Sequence, residues 1–255
     1  MQPNKLVVAN WKMNTTPEEG VTLVKSIIQK LREEDLQGKK IVLAPPCTHL
    51  ALMQQWIAPY KNVYLGAQNC HEEVTGPFTG EVAAPMLHAI GVQYVIVGHS
   101  ERRNSFQENN IQIGQKVTTL LAHHLTPIVC CGESLAIRNQ EQHISYVLNQ
   151  LAESLYHLSE QEIIKVVIAY EPVWAVGTGK VPTATQIATM HQAMYDALAK
   201  KYNPTLAAAI PILYGGSCNQ TNASTIFAIP HVAGGLIGGA SLQVNNFVTI
   251  IHGLK

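Results

Sequence analysis

Eight short apolar runs punctuate the chain: KLVVAN (5–10), KIVLAP (40–45), VYLGA (63–67), YVIVGH (94–99), PIVCCG (127–132), KVVIAYE (165–171), PILYGG (211–216) and LIGG (236–239). Each is apolar almost throughout instead of alternating, which is how a strand covered on both faces of a parallel sheet reads. Between these runs the apolar spacing switches to three and four. Residues 17–34 follow Thr16 with Pro17 and Glu18-Glu19, a helix start signal, and bring Val21, Val24, Ile27, Ile28 and Leu31 to one face. Ile144, Val147, Leu148, Leu151 and Leu155 repeat the pattern within 139–157, and Ile187, Met190, Met194 and Leu198 within 184–200. Pro211 has no N–H to give to a ladder, so it belongs at the first position of its strand.

About eight strand–helix units predict an α/β chain folded as one (β/α)8 barrel domain over residues 1–255. An open doubly wound sheet is the alternative. No compositional break or low-complexity tract divides the sequence, and 47% hydrophobic residues suffice for a large core.

Charge changes the picture by exclusion. Seventeen basic and seventeen acidic side chains cancel, so bulk charge draws neither nucleic acid nor a membrane surface, and an anionic ligand must be caught locally. The five cysteines, Cys47, Cys70, Cys130, Cys131 and Cys218, are odd in number and form no Cys-x-x-Cys pair, which fits a reducing compartment. With no signal-like N-terminal pattern and no run long enough to span a bilayer, the expected setting is cytoplasmic.

In parallel α/β folds the chemistry gathers at the C-terminal ends of the strands. There stand Asn10 and Lys12 after the first run, His99 after the fourth, Glu171 after the sixth, Gly215, Gly216 and Ser217 after the seventh, and Gly238 and Gly239 after the eighth. A lone lysine in a loop is most often a solvated charge, a lone histidine a structural residue, and a lone glutamate half of a salt bridge. Their shared position at strand ends raises the functional reading of all three. Ser100 is placed to cap a helix starting at Glu101 and Arg102, which sets His99 beside a helix N-terminus. The positive potential there suits a neutral ring that donates to a carbonyl oxygen. Two glycine turns after the last two strands offer backbone N–H groups to a phosphate. Neither a dinucleotide fingerprint, nor a nucleotide loop, nor a metal-binding His-Glu-x-x-His pattern occurs, so no cofactor and no metal are expected. A base, a cation, a neutral donor and a phosphate cradle suit proton abstraction beside a carbonyl in a small phosphorylated substrate.

The segments NWKMN (10–14), TGPFTGE (75–81), GHSERR (98–103), IGQK (113–116), CCGE (130–133), YEPVWAVGTGK (170–180), YGGS (214–217) and GGASL (238–242) together resemble, in order, the signature segments of the triosephosphate isomerase family, over essentially the whole chain. The resemblance implies a TIM barrel without a cofactor that interconverts dihydroxyacetone phosphate and D-glyceraldehyde 3-phosphate through an enediol(ate), in glycolysis and gluconeogenesis. It implies Glu171 as base, His99 as the neutral group that polarises the carbonyl, and Lys12 as the cation. Asn10 would line the site, and Gly177, Ser217, Gly238 and Gly239 would bind phosphate. Glu101 would organise Lys12, and Cys130 would be structural. Pro172, Val173 and Trp174 would form the near hinge of a lid whose tip is Ala175, Val176 and Gly177 and whose far hinge holds Gly179 and Lys180. The long connection 66–81 would insert into a second subunit, with Thr79 at the contact, giving a homodimer.

Three positions depart from the family pattern. Tyr195 stands where an arginine is common, Ala233 where its aspartate partner is common, and Pro211 where an arginine precedes the seventh strand. None touches the implied chemistry. Two further readings stay open at this point, a barrel aldolase using Lys12 as a Schiff base and a barrel that binds without catalysis. Borohydride trapping with a ketose phosphate separates the first, and an isomerisation assay the second.

Overall fold

The apolar runs become eight strands: β1 Lys5–Asn10, β2 Lys39–Ala44, β3 Val63–Ala67, β4 Tyr94–Val97, β5 Thr126–Cys131, β6 Val167–Tyr170, β7 Ile212–Tyr214 and β8 Gly234–Ile237. They are seen in a computed structural model that describes residues 5–31, 36–175 and 181–255. Neighbours in sequence pair in parallel, and β1 closes on β8 with Leu6 opposite Gly234, so the sheet is a closed barrel and not an open one. A parallel pair needs a long crossover, and helices supply it between strands.

Both faces of each strand are apolar because each meets a different core. In β1, Leu6 and Val8 point into the barrel with Val42, Ile96, Ile128 and Leu213. Val7 and Ala9 point outward into the layer that also holds Val24, Ile27, Met190 and Leu198 of the surrounding helices. The period-two pleat sets this alternation, and closure removes the solvent face that would have shown it in the sequence.

The edges of several elements differ from the expectation. The sixth strand begins at Val167, not Lys165, because a capping box of Ser159 and Glu162 starts a short helix, Glu160–Ile163, and the Val166 N–H closes its end on the Ile163 carbonyl at 3.1 Å. The eighth strand begins two residues early, at Gly234. Gly234 has φ +143°, and a Cβ there would lie 1.9 Å from the Leu6 carbonyl oxygen, so only glycine fits. It also ends early, because the Gly238 carbonyl turns to accept from the Ser241 N–H at 2.8 Å. The helix expected over 139–157 is His143–Leu155, set off from a separate short helix, Leu135–Asn139, by Glu141 with φ +57°. The first helix runs Pro17–Lys30 from a Thr16–Glu19 capping box, and the expected continuation over 32–34 lies outside the described residues. The helix expected over 184–200 is Ala184–Lys201.

Pro211 stands just ahead of β7, where its missing N–H costs nothing, and its carbonyl accepts from Ile168 at 2.9 Å. The uncharged substitutes also have places. Tyr195 stacks on His231 with ring centroids 4.2 Å apart and an angle of 22°, while Ala233 packs inside the barrel. One ring stack and one methyl thus stand at positions where a lone charge would have been costly.

Candidate active site

The carboxyl ends of β1, β4, β6, β7 and β8 open on one cavity of about 380 Å³. It is lined by Asn10, Lys12, His99, Glu171, Gly215, Gly216, Ser217, Cys218, Asn219, Leu236, Gly238, Gly239 and Ala240. Seven of the residues singled out as catalytic or substrate-binding therefore meet, although up to 229 positions separate Asn10 from Gly239 along the chain.

Lys12 follows β1 with φ +54°, a left-handed backbone that a lysine adopts only when its surroundings hold it there. Its N–H donates to Asn10 Oδ1 at 3.0 Å, and its Nζ donates to Glu101 Oε1 at 2.5 Å. Both side chains of the pair are partly solvated, so the contact adds little stability and acts mainly by aiming the ammonium group.

His99 follows β4 and is itself the N-cap of helix Ser100–Ser105. Ser100 is the first helical residue and not the cap that the sequence suggested. The ring Nδ1 accepts from the Glu101 N–H at 3.3 Å, so the proton of the neutral ring sits on Nε2. That Nε2 lies 2.9 Å from Glu171 Oε1 and donates to it. The other Glu171 oxygen, Oε2, accepts from the Ser100 N–H at 2.8 Å. Glu171 is thus buried and doubly hydrogen-bonded in the helix N-terminal field, which compensates for taking a carboxylate out of water.

The Glu171 backbone is held as firmly. Its N–H donates to the Cys131 carbonyl at 2.8 Å, and a Cβ on Gly132 would fall 1.7 Å from its carbonyl oxygen. The thiols nearby are inert. Burial first, then the Glu171 charge, hold Cys130 well above the ordinary thiol range, and burial pushes Cys218 up to about 12.

Beyond Glu171 the chain makes a tight turn, Val173–Ala175, closed by Ala175 N–H on the Pro172 carbonyl at 2.8 Å. Trp174 does not line the cavity. Its Nε1 donates to Glu133 Oε1 at 2.8 Å, where Arg138 Nη1 at 2.8 Å and the Tyr170 hydroxyl at 3.1 Å also converge. Burial, then the Glu133 charge, keep the Tyr170 phenol protonated and donating. Val176, Gly177, Gly179 and Lys180, named for the lid tip and far hinge, lie outside the described residues.

After β8, Gly238 and Gly239 leave room for a close approach. A Cβ on Gly239 would meet nothing within 4 Å, and one on Gly238 only the Lys12 stem at 3.4 Å. Cys218, Asn219, Leu236 and Ala240 escaped the sequence reading because nothing in their type marks them. Glu133 escaped it too, since it holds Trp174 instead of facing the cavity. Among the described residues no cluster of three or more His, Cys, Asp or Glu is grouped to hold a metal ion, and no helix is long and apolar enough to cross a membrane.

The sequence profile of the triosephosphate isomerase family matches residues 5–254. A triosephosphate isomerase from Amoebophilus asiaticus is 46% identical over 249 residues, covering 98% of each chain. That of Cytophaga hutchinsonii is 46% identical over 96% of this chain and 97% of its own, and that of Chloroflexus aurantiacus 42% over 97% and 98%.

Proposed function

The chain belongs to the triosephosphate isomerase family, and from that premise we propose how the residues around its cavity share the reaction. The enzyme is an aldose–ketose isomerase that interconverts dihydroxyacetone phosphate and D-glyceraldehyde 3-phosphate, a step of glycolysis and gluconeogenesis. The observation that carries the proposal is the meeting of Glu171, His99 Nε2 and the Lys12 ammonium group on one small cavity that is lined in part by bare glycine backbone.

Glu171 is the base. At rest its carboxylate is parked on Ser100 N–H and His99 Nε2. Substrate binding moves it off these donors, and a carboxylate stripped of hydrogen bonds in a site without water is the stronger base. It takes a proton from one substrate carbon and returns it to the neighbour. His99 Nε2–H, released from Glu171, donates to the carbonyl oxygen on which negative charge develops, and it carries protons between the two oxygens. Its tautomer is fixed in advance by the Glu101 amide, so no reorganisation accompanies the step. This family is itself a familiar instance of such tuning. Lys12 faces the same developing charge and the substrate anion, steadied by Glu101, with Asn10 holding its backbone. Ser217, Gly238 and Gly239, joined by Gly177, take the phosphate through backbone N–H groups. Trp174, tied to Glu133, anchors the near end of the lid.

A homodimer belongs to the same reading. Met13, next to Lys12, is 95% exposed, and Phe106 is 65% exposed. Connection 66–81, with Phe78 and Thr79 near its tip, is the segment proposed to seat in the partner. Such apolar exposure beside a polar mouth suits burial against a second copy. The cytoplasm is the proposed compartment.

The direct test is turnover of glyceraldehyde 3-phosphate without added metal or cofactor, repeated with Glu171→Asp. Shortening the base by one methylene withdraws it from the carbon acid, and a loss of roughly 10²–10⁴-fold in kcat is expected with the fold intact by circular dichroism. Near-normal turnover removes Glu171 from the mechanism.

A further inference from the structure

We infer that Gln68 is a positioning residue for Lys12, acting through the lysine's backbone. The inference rests on the reading of Lys12 as the cation that meets the substrate. Gln68 stands just past β3, at the root of connection 66–81, and does not line the cavity. Its Nε2 donates both hydrogens, one to the Lys12 carbonyl at 2.9 Å and one to the Ala44 carbonyl at 2.9 Å. The orientation of the amide is fixed by these partners, because flipping it would set Oε1 against two carbonyl oxygens.

Lys12 needs such a hold. With φ +54° it sits in a region that a side-chain-bearing residue keeps only when its neighbours over-determine it. On one side Asn10 Oδ1 takes the Lys12 N–H at 3.0 Å. On the other side Gln68 takes the Lys12 carbonyl and ties it to the end of β2, where Ala44 also accepts from the Trp11 N–H at 3.1 Å. The peptide groups on both sides of the strained Cα are therefore pinned by side chains. The ammonium group, at the end of a four-carbon stem, inherits its position from that pinned Cα and from Glu101.

The next residue ties the same root in another direction. Asn69 Oδ1 accepts from Lys116 Nζ at 3.1 Å, and Lys116 in turn donates to the buried Glu108 at 2.7 Å. Two consecutive amides thus fasten the start of connection 66–81, one to the cation's backbone and one to a buried ion pair. A side chain bridging two carbonyls needs two N–H donors on one planar nitrogen. Methionine fills the volume of glutamine and supplies neither donor, while asparagine keeps the amide but falls one methylene short.

The test is a double-substitution cycle on kcat/KM with glyceraldehyde 3-phosphate, using the unsubstituted protein, Gln68→Met, Lys12→Arg and the pair. Gln68→Met is expected to lose on the order of ten- to a hundred-fold, the cost of a small misplacement of a reacting group. In the Lys12→Arg background the same change is expected to lose almost nothing, because the group it positions is already displaced. Sedimentation at assay concentration is expected to be the same for all four. Equal losses in both backgrounds, or unaltered kinetics for Gln68→Met, overturn the inference. If Gln68→Met does not fold, Gln68→Asn takes its place in the cycle under the same criteria. Unaltered kinetics for Lys12→Arg alone would instead overturn the reading of Lys12 itself.

Discussion

Glu171 is held in the resting site by the Ser100 N–H and by the same His99 Nε2 that is proposed to serve the substrate. Ser100 N–H and His99 Nε2 satisfy its carboxylate at 2.8 and 2.9 Å, which makes a buried charge tolerable without substrate. Substrate must outcompete both bonds, and binding energy from a remote phosphate is the natural source. Lys12 is the other residue whose loss is expected to be decisive. Lys12→Ala removes the charge and frees Glu101 of its partner, so both KM and kcat are expected to suffer. Steady-state kinetics read the split, and a wild-type profile would refute the placement of Lys12 against the substrate. The placement of His99, Glu171 and Lys12 at the cavity was legible in the sequence, because each is an unusual residue at or just past the end of an apolar run. Gln68 was not, since its effect depends on two carbonyls that only folding brings within 2.9 Å of one nitrogen.

Between residues and barrel lie the strand ends, whose job is to fix backbones. Gly132 follows β5 and looks dispensable in composition, yet a Cβ there would sit 1.7 Å from the Glu171 carbonyl oxygen. Backbone cannot yield as a flexible side chain does. Gly132→Ala is expected to push β6 away from β5 and to cost the enzyme most of its kcat, with a lowered melting temperature. A crystal structure of an active Gly132→Ala protein with β6 unmoved would refute the close approach. Glu133, one residue on, gathers Trp174, Arg138 and Tyr170 onto a single oxygen, so the segment that follows Glu171 leaves the barrel at a fixed angle. The segment CCGE marks this corner in the sequence. That it braces the turn at Val173–Ala175 follows only from the pairing of β5 with β6.

At the scale of the molecule, connection 66–81 is long, folds beyond β3 only into turns and bends, and exposes Val74 and Phe78. Sedimentation over a concentration series is expected to show a dimer at assay concentrations, with activity falling where it dissociates. A folded, fully active monomer would refute the proposed role of the connection. Its root also reports on pH. Burial opposes ionisation of Glu108, but hydrogen bonds and charge from Lys116 and Arg102 win, and its carboxyl is held below the ordinary range. A depressed folded-state value means that this contribution is complete above the unfolded-state value and is lost as pH falls through the folded one. Urea unfolding from neutral to acid pH is therefore expected to show a stability loss that is flatter in Glu108→Gln. Parallel curves would argue that Glu108 does not titrate with folding.

The sequence by itself determined the existence and order of eight buried strands, because a parallel strand covered on both faces is written as an unbroken apolar run. It also determined which residues stand at their carboxyl ends. Closure was left to the tertiary structure, since an open and a closed parallel sheet bury the same kind of strand and differ only in whether β1 meets β8. So were element edges, which turned on single hydrogen bonds such as Val166 on Ile163 and Ser241 on Gly238. The identity of the helix cap at His99, the parking of Glu171 and the double grip of Gln68 were likewise decided there. Each depends on atoms from distant parts of the chain coming within a few ångströms, and local patterns carry no record of that distance.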